Sequence, residues 1–187
     1  LRTAYTGDAV EVYNGSSYAD IGFNVFSELD TVALAAHCGS NDGFVSKWYD
    51  QSGNTNTAAQ TTTANMPKIY DGTTGVVTEN GKPCLQYDTT GTDTFDMATA
   101  LTSVQSVFEV LNSTQTLSQA FLLGDATVNN YVADVDKDLL RSSALAAILN
   151  GTTRVNGVSQ NFTTTIRPLN QSVISMIHTS ASANVSQ

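Results

Sequence analysis

The amino-acid sequence predicts an all-β protein, and two observations carry that reading. Short runs of β-branched and aromatic residues recur along the chain, each bounded by Gly, Asn, Asp or Pro, which is the punctuation of a sandwich or barrel. Charged residues make up only 13% of the chain against 41% hydrophobic, which excludes a coiled coil or a long-helix bundle, since those need Glu, Lys, Arg and Leu in quantity. The length of 187 residues suits one domain of ordinary size. No fixed-period repeat or linker divides it, so 1–187 is read as a single domain.

The expected strands, in order, are Ala9 to Tyr13, Tyr18 to Phe23, Gly43 to Tyr49, Lys68 to Tyr70, Val76 to Thr78, Pro83 to Tyr87, Ser103 to Leu111, Gln119 to Leu123, Tyr131 to Val135, Thr153 to Val155 and Ser172 to Ile177. Ser103 to Leu111 is the clearest: Val104, Phe108 and Val110 alternate with polar neighbours, interrupted at Ser106, as an inward face requires. One segment breaks the pattern. Over residues 28–37, Leu29, Val32, Ala33 and Ala36 share a helical face and Asp30 stands where an N-cap belongs, so a short helix ending near Gly39 is expected. Asp138 to Leu149 fits helical spacing too, but Asn150-Gly151 behind it is a hairpin signal and favours a strand, with Asn156-Gly157 as a second turn. The polar stretch Gln51 to Asn65 reads as a long surface loop.

Eight Lys and Arg stand against 17 Asp and Glu, for a net charge of -9. Such a surface repels phosphate backbones and anionic lipid heads, so nucleic acid is an unsuitable partner. No apolar run approaches the ~20 residues that span a bilayer, and the opening Leu1-Arg2-Thr3-Ala4-Tyr5 is not a signal peptide. Because it starts without Met, the chain is expected to be a processed product or an excerpt. Cys38 and Cys84 read first as buried free thiols, with a disulfide between them the alternative.

The residue inventory sets aside several chemistries. Only His37 and His178 could serve a Ser-His-Asp hydrolase, and no Gly-x-Ser-x-Gly elbow exists. Zinc would need His37 and Cys38, adjacent and ill disposed to chelate one ion. No Walker or dinucleotide glycine pattern is present. Asp134, Asp136 and Asp138 superficially match a calcium loop but lack its Gly and Glu, with Leu139 and Leu145 in their places, so a solvated strand edge is the first reading and calcium the second. No cofactor is implied. Glycoside hydrolysis needs two carboxyl groups across a cleft, and the scattered acids do not single out a pair. Sugar stacking needs only exposed aromatic faces, which Trp48, Tyr49, Tyr70 and Tyr87 could offer.

The run Gly43-Phe44-Val45-Ser46-Lys47-Trp48-Tyr49-Asp50-Gln51-Ser52-Gly53-Asn54 is the most specific feature, followed by Ala59-Gln60 and Met66-Pro67-Lys68-Ile69. It resembles the catalytic domain of alpha-L-arabinofuranosidase B and the wider set of concanavalin A-like, LamG-like jelly-roll modules with a Tyr-Asp-Gln-Ser-Gly-Asn signature. Leu1 to Gly7, Asp20-Ile21-Gly22-Phe23, Leu29-Asp30-Thr31 and Gly81-Lys82-Pro83 extend the resemblance over residues 1–88. It implies a concanavalin A-like jelly-roll β-sandwich with one short helix. Turn chemistry accounts for the signature by itself: Asp50 and Ser52 can bind nearby backbone N–H groups and Gly53 can supply a positive φ.

The resemblance does not carry catalysis over. The family's nucleophilic Glu falls at Val132 or Ala133, and its general acid would lie in a segment beyond Gln187. Modules with this signature and without the catalytic pair occur in phage virion proteins, and the resemblance implies a non-catalytic module of that kind. The function expected is therefore binding or structural, in a fibre, adhesin or decoration protein at a virion surface or in an extracellular assembly. Its expected partners are carbohydrate and neighbouring subunits. Trp48, Tyr49, Asp50, Gln51 and Asn54 are the candidate ligand-binding residues, and no catalytic residue is assigned. The alternative is a glycoside hydrolase of arabinofuranosidase type. The sandwich is expected to be completed at its C-terminal edge by another chain or by a continuation.

Overall fold

The structure, a computed structural model, describes residues 5–88, 92–113, 120–121, 123, 131–133, 138–180 and 183–185. The chain divides into two compact units, Leu1–Ala98 and Thr99–Gln187, each with its own hydrophobic core. Strands dominate both, so the protein is all-β in class. Among the described residues no helix is long and apolar enough to cross a membrane.

The first unit contains β1 (Val10–Tyr13), β2 (Tyr18–Ile21), α1 (Thr31–Cys38), β3 (Gly43–Trp48), β4 (Ala58–Ala59), a 3-10 turn at Thr63–Asn65, β5 (Lys68–Asp71), β6 (Gly75–Val76), β7 (Thr78–Glu79), β8 (Lys82–Pro83) and β9 (Asp96–Met97). Its main sheet runs β2-β1-β3-β4-β9; β5 pairs with the other end of β3 and carries β6, while β7 and β8 form a separate hairpin. Gln51 to Asn65 is therefore not one long loop: β4 pairs Lys47 with Ala59 and Trp48 with Ala58.

Alternation along β3 is reset by one extra residue. Glu11 lies opposite Lys47 and Val12 opposite Val45, leaving Ser46 unmatched in a β-bulge. Buried Ser46 donates its hydroxyl to the Glu11 Oε1 at 2.7 Å and lies 3.2 Å from the Glu11 carbonyl, while Lys47 Nζ reaches Glu11 Oε2 at 2.8 Å. Burial pushes the Glu11 carboxyl up, but the bonds from Lys47 and Ser46 and the Lys47 charge outweigh it and hold the group below its ordinary value.

The helix forms where the sequence places it. Asp30 Oδ1 accepts from the Val32 and Ala33 N–H groups at 3.1 and 3.0 Å, a cap of about 1 kcal/mol, and Gly39 ends the helix at φ 60°. Its buried face matches the expected one only in part: Leu29 and Ala33 pack against the core. Leu34 and Cys38 enter the core with Val10, Val12, Ile21, Val45, Ile69 and Tyr70, whereas Val32 and Ala36 face outward. With so many alanines, apolar spacing fits two faces, and the sheet selects the one that carries Leu34. Cys38 and Cys84 are both free thiols.

The second unit contains β10 (Leu101–Val104), β11 (Ser106–Leu111), β12 (Ala120–Phe121), β13 (Val132–Ala133), α2 (Ala146–Leu149), β14 (Thr152–Val155), β15 (Val158–Ser159), β16 (Ser172–Ile177) and β17 (Ala183–Val185). The order β11-β16-β14-β15 makes an antiparallel sheet, and β10-β17 and β12-β13 are pairs. The expected strand Ser103 to Leu111 is two strands broken at Gln105, and the break inverts the phase. Val107 is buried opposite Met176 and Glu109 lies opposite buried Ile174, while Phe108 and Val110 are 67% and 66% exposed.

Asp138 to Leu149 is not a strand. It runs through turns into the helical turn α2, because Leu139, Leu140 and Ile148 all reach one core together with Val107, Tyr131, Phe162, Ile174 and Met176. Asn150-Gly151 consequently closes that turn, the Asn150 N–H donating to Ala146 and the Gly151 N–H to Ile148. Asn156-Gly157 does form a hairpin turn: both residues have positive φ, 51° and 81°, and Val155 pairs with Val158, the type I′ signature.

Gly151 is required by packing. A Cβ there would collide with the Ile177 carbonyl oxygen. Gly151→Ala should lower stability by about 1–3 kcal/mol, read as a reduced urea midpoint with an unchanged slope; an unaltered midpoint would refute the close approach.

Candidate functional site

The signature residues converge on one turn at the end of β3. Asp50 Oδ1 accepts from the Ser52 N–H at 2.7 Å, and Asp50 Oδ2 accepts from the Ser52 hydroxyl at 2.8 Å and the Asn56 N–H at 2.9 Å. Those bonds, the Ser52 hydroxyl foremost, hold the Asp50 carboxyl below its ordinary value. The Asn54 N–H donates to the Ser52 hydroxyl at 3.2 Å, and Gly53 and Thr55 take positive φ of 88° and 59°. Asp50 is thus ionised and committed to the backbone, which suits it to hold a loop and not to donate a proton. Gln51 is half-buried at this turn and Asn54 is exposed.

Tyr49 leaves β3 beside β1, its N–H donating to the Ala9 carbonyl at 3.1 Å. Its hydroxyl donates to Asp20 Oδ1 at 2.6 Å; burial, and then that carboxylate, push the phenol well above its ordinary value. Trp48 is 49% exposed. The Phe95 ring meets it edge-to-face, with centroids 6.4 Å apart and planes at 71°, an arrangement that fixes the indole while leaving part of its surface to solvent. Of the five predicted residues, Trp48 is the one that offers an open aromatic surface, while Tyr49 and Asp50 brace the chain beneath it.

A cleft of about 360 Å³ lies in the same unit, lined by Phe44, Met66, Lys68, Gln86, Asp88 and Asp93 among others. Lys68 crosses it under restraint: Nζ is 2.7 Å from Asp42 Oδ2 and 3.5 Å from Asp71 Oδ2, and 5.7 Å from the Phe44 ring centroid. Asp93 Oδ2 accepts from the Asp88 N–H at 2.7 Å. Burial raises the Asp93 carboxyl and the Asp88 charge adds to it, against the lowering by that N–H. No local spacing signal in the sequence joins these two acids, which a loop brings together.

In the second unit Asp134 and Asp136 lie outside the described residues. Asp138 forms an isolated bridge with Ile166. Among the described residues no group of three or more His, Cys, Asp or Glu converges as a metal site. A buried polar pair was not expected: Tyr131 and His178 lie side by side, with His178 Nδ1 3.0 Å from the Val104 carbonyl and Nε2 3.2 Å from the Tyr131 hydroxyl. A carbonyl only accepts, so Nδ1 carries the proton in neutral His178, and the Tyr131 hydroxyl donates to Nε2. Glu109 faces the same core from β11; burial pushes it up to about 7 and, after burial itself, its charge helps push Tyr131 up to about 12.

No family model, curated protein or solved structure matches the chain.

Because Glu109 holds its proton more tightly folded than unfolded, the folded state binds the extra proton between the ordinary Glu value and about 7. Stability is therefore highest on the acid side of that window and declines as pH rises through it. Glu109→Gln should remove the decline, gaining up to about 3 kcal/mol at pH 8. Thermal melts across pH 5 to 8 test this: parallel profiles for the two proteins would show that Glu109 ionises freely.

Proposed function

We propose that the protein is a non-catalytic carbohydrate-recognising module of concanavalin A-like, jelly-roll type, serving a virion surface or another extracellular assembly. The observation that carries the reading is Trp48, a half-exposed indole braced by Phe95 at the lip of a self-supporting turn. A flat aromatic face of this kind stacks on the C–H face of a sugar ring, and its prior immobilisation lowers the entropic cost of binding. The non-catalytic part rests on Asp50, whose carboxyl is occupied by three hydrogen bonds and held low. Net charge of -9 favours neutral glycans over sulfated or uronic ones.

A glycan-array screen of the purified chain tests the reading. Binding to neutral glycans is expected, with Trp48→Ala reducing affinity at least tenfold at nearly unchanged melting temperature. Silence across the array would move the weight to a purely structural role beside neighbouring subunits.

A second reading, a glycoside hydrolase of arabinofuranosidase type, is favoured by one observation: Asp88 and Asp93 line a common cleft, and Asp93 is raised in the direction a general acid needs. Release of 4-nitrophenol from its α-L-arabinofuranoside, abolished by Asp93→Asn, would establish it. Absence of turnover with retained glycan binding would leave the first.

A further inference from the structure

The second unit contains a cleft of about 470 Å³, larger than the cleft beside Lys68 and within the range of about 300–1,000 Å³ common for small-molecule sites. Its apolar base comes from Leu140, Leu149 and Phe162, and its rim from Ser159, Gln160 and Asn161. The rim is ordered by its own backbone. The Gln160 N–H donates to the Thr153 carbonyl at 3.0 Å, extending the β14–β15 hairpin, and the Thr153 hydroxyl donates back to the Gln160 carbonyl. Asn161 then turns the chain: its carbonyl accepts from the Thr165 N–H at 2.8 Å and hydroxyl at 2.6 Å, and its Oδ1 from the Thr163 N–H at 3.1 Å and hydroxyl at 2.8 Å.

That accounting leaves specific groups over. The Gln160 side-chain amide lies 3.4 Å from the Thr165 hydroxyl, whose proton is already given to the Asn161 carbonyl, while among the described residues Asn161 Nδ2 and the Ser159 hydroxyl have no protein partner; the side chains of all three rim residues are open to solvent. No charged side chain stands among the described residues lining the cleft. An ion of either sign would lose hydration there with no opposite charge to offset the loss. A purely apolar guest would strip water from two amides and a hydroxyl without replacing their hydrogen bonds. A neutral polyhydroxylated guest meets both demands, since its hydroxyls accept from the amides and its C–H surface rests toward the apolar base.

We propose that this cleft is a binding site for a neutral sugar or similar polyol, held by Ser159, Gln160 and Asn161, and independent of Trp48. The chain would then carry two separate places for neutral glycan, one in each unit.

The test is a titration of the whole 15N-labelled chain with methyl α-L-arabinofuranoside, cellobiose, glucuronate and triglycine, following backbone and side-chain amide resonances. Saturable shifts of the Gln160 and Asn161 side-chain amides are expected with at least one neutral sugar and not with glucuronate or triglycine. Gln160→Ala and Ser159→Ala should each weaken that binding by about fivefold without lowering the melting temperature, and Trp48→Ala should leave it unchanged. The proposal is overturned if neither neutral sugar shifts these amides, if glucuronate or triglycine does so equally, or if the two cleft variants bind like the parent. Shifts confined to the surroundings of Trp48 would overturn it while supporting the first site.

Discussion

The first unit depends on a single unmatched residue in β3. β3 pairs with β1 along one edge and is shared between β5 and β4 along the other. A regular strand has period two, so the phase that buries Val45 would continue unbroken to its end. Ser46 resets that phase. The reset is tolerable because the buried hydroxyl is hydrogen-bonded to Glu11 and the Glu11 charge is met by Lys47, leaving no polar group stranded inside. The turn of Asp50 and the position of Trp48 follow from where β3 is obliged to end.

The second unit solves a related problem with less symmetry. Its core admits Tyr131 and His178 as a bonded pair, and the tautomer is set by one carbonyl. Glu109 faces that core as well and is better accommodated as a neutral acid. Polar groups inside a small core restrict which packings are acceptable, because a slip of one residue along β11 would expose Val107 and carry Glu109 to the other face of the sheet.

Legibility in the sequence tracked how local each cause was. The helix, its Asp30 cap and its Gly39 end, the turn at Asp50 and the strands at Ser172 to Ile177 and Lys68 to Tyr70 were readable because neighbouring residues determine them. The inward phase of β11 was not, since Val104, Phe108 and Val110 alternate as well as Val107 and Leu111 once the break at Gln105 goes unseen. Asn-Gly misled at 150 and informed at 156, because a distant carbonyl at Ile177 requires glycine at 151, whereas the hairpin requires it at 157. At the candidate site, Trp48 and its turn could be foreseen. Phe95, the Asp88–Asp93 approach and the cleft beside Gln160 depend on loops meeting in space, for which a linear pattern has no marker.

The hairpin turn at Asn156-Gly157 carries a further chemical meaning. Asn followed by Gly is the pairing most open to spontaneous deamidation, in which the next backbone nitrogen attacks the side-chain amide and expels ammonia. Here Asn156 Oδ1 accepts from the Val173 N–H at 2.8 Å and Nδ2 donates to Ser172 at 3.3 Å, so the amide is drawn toward β16. Cyclisation must wait until that grip is released. The strength of those two side-chain bonds therefore governs how readily aspartate and isoaspartate form at this position, even while the β14–β16 pairing stays intact.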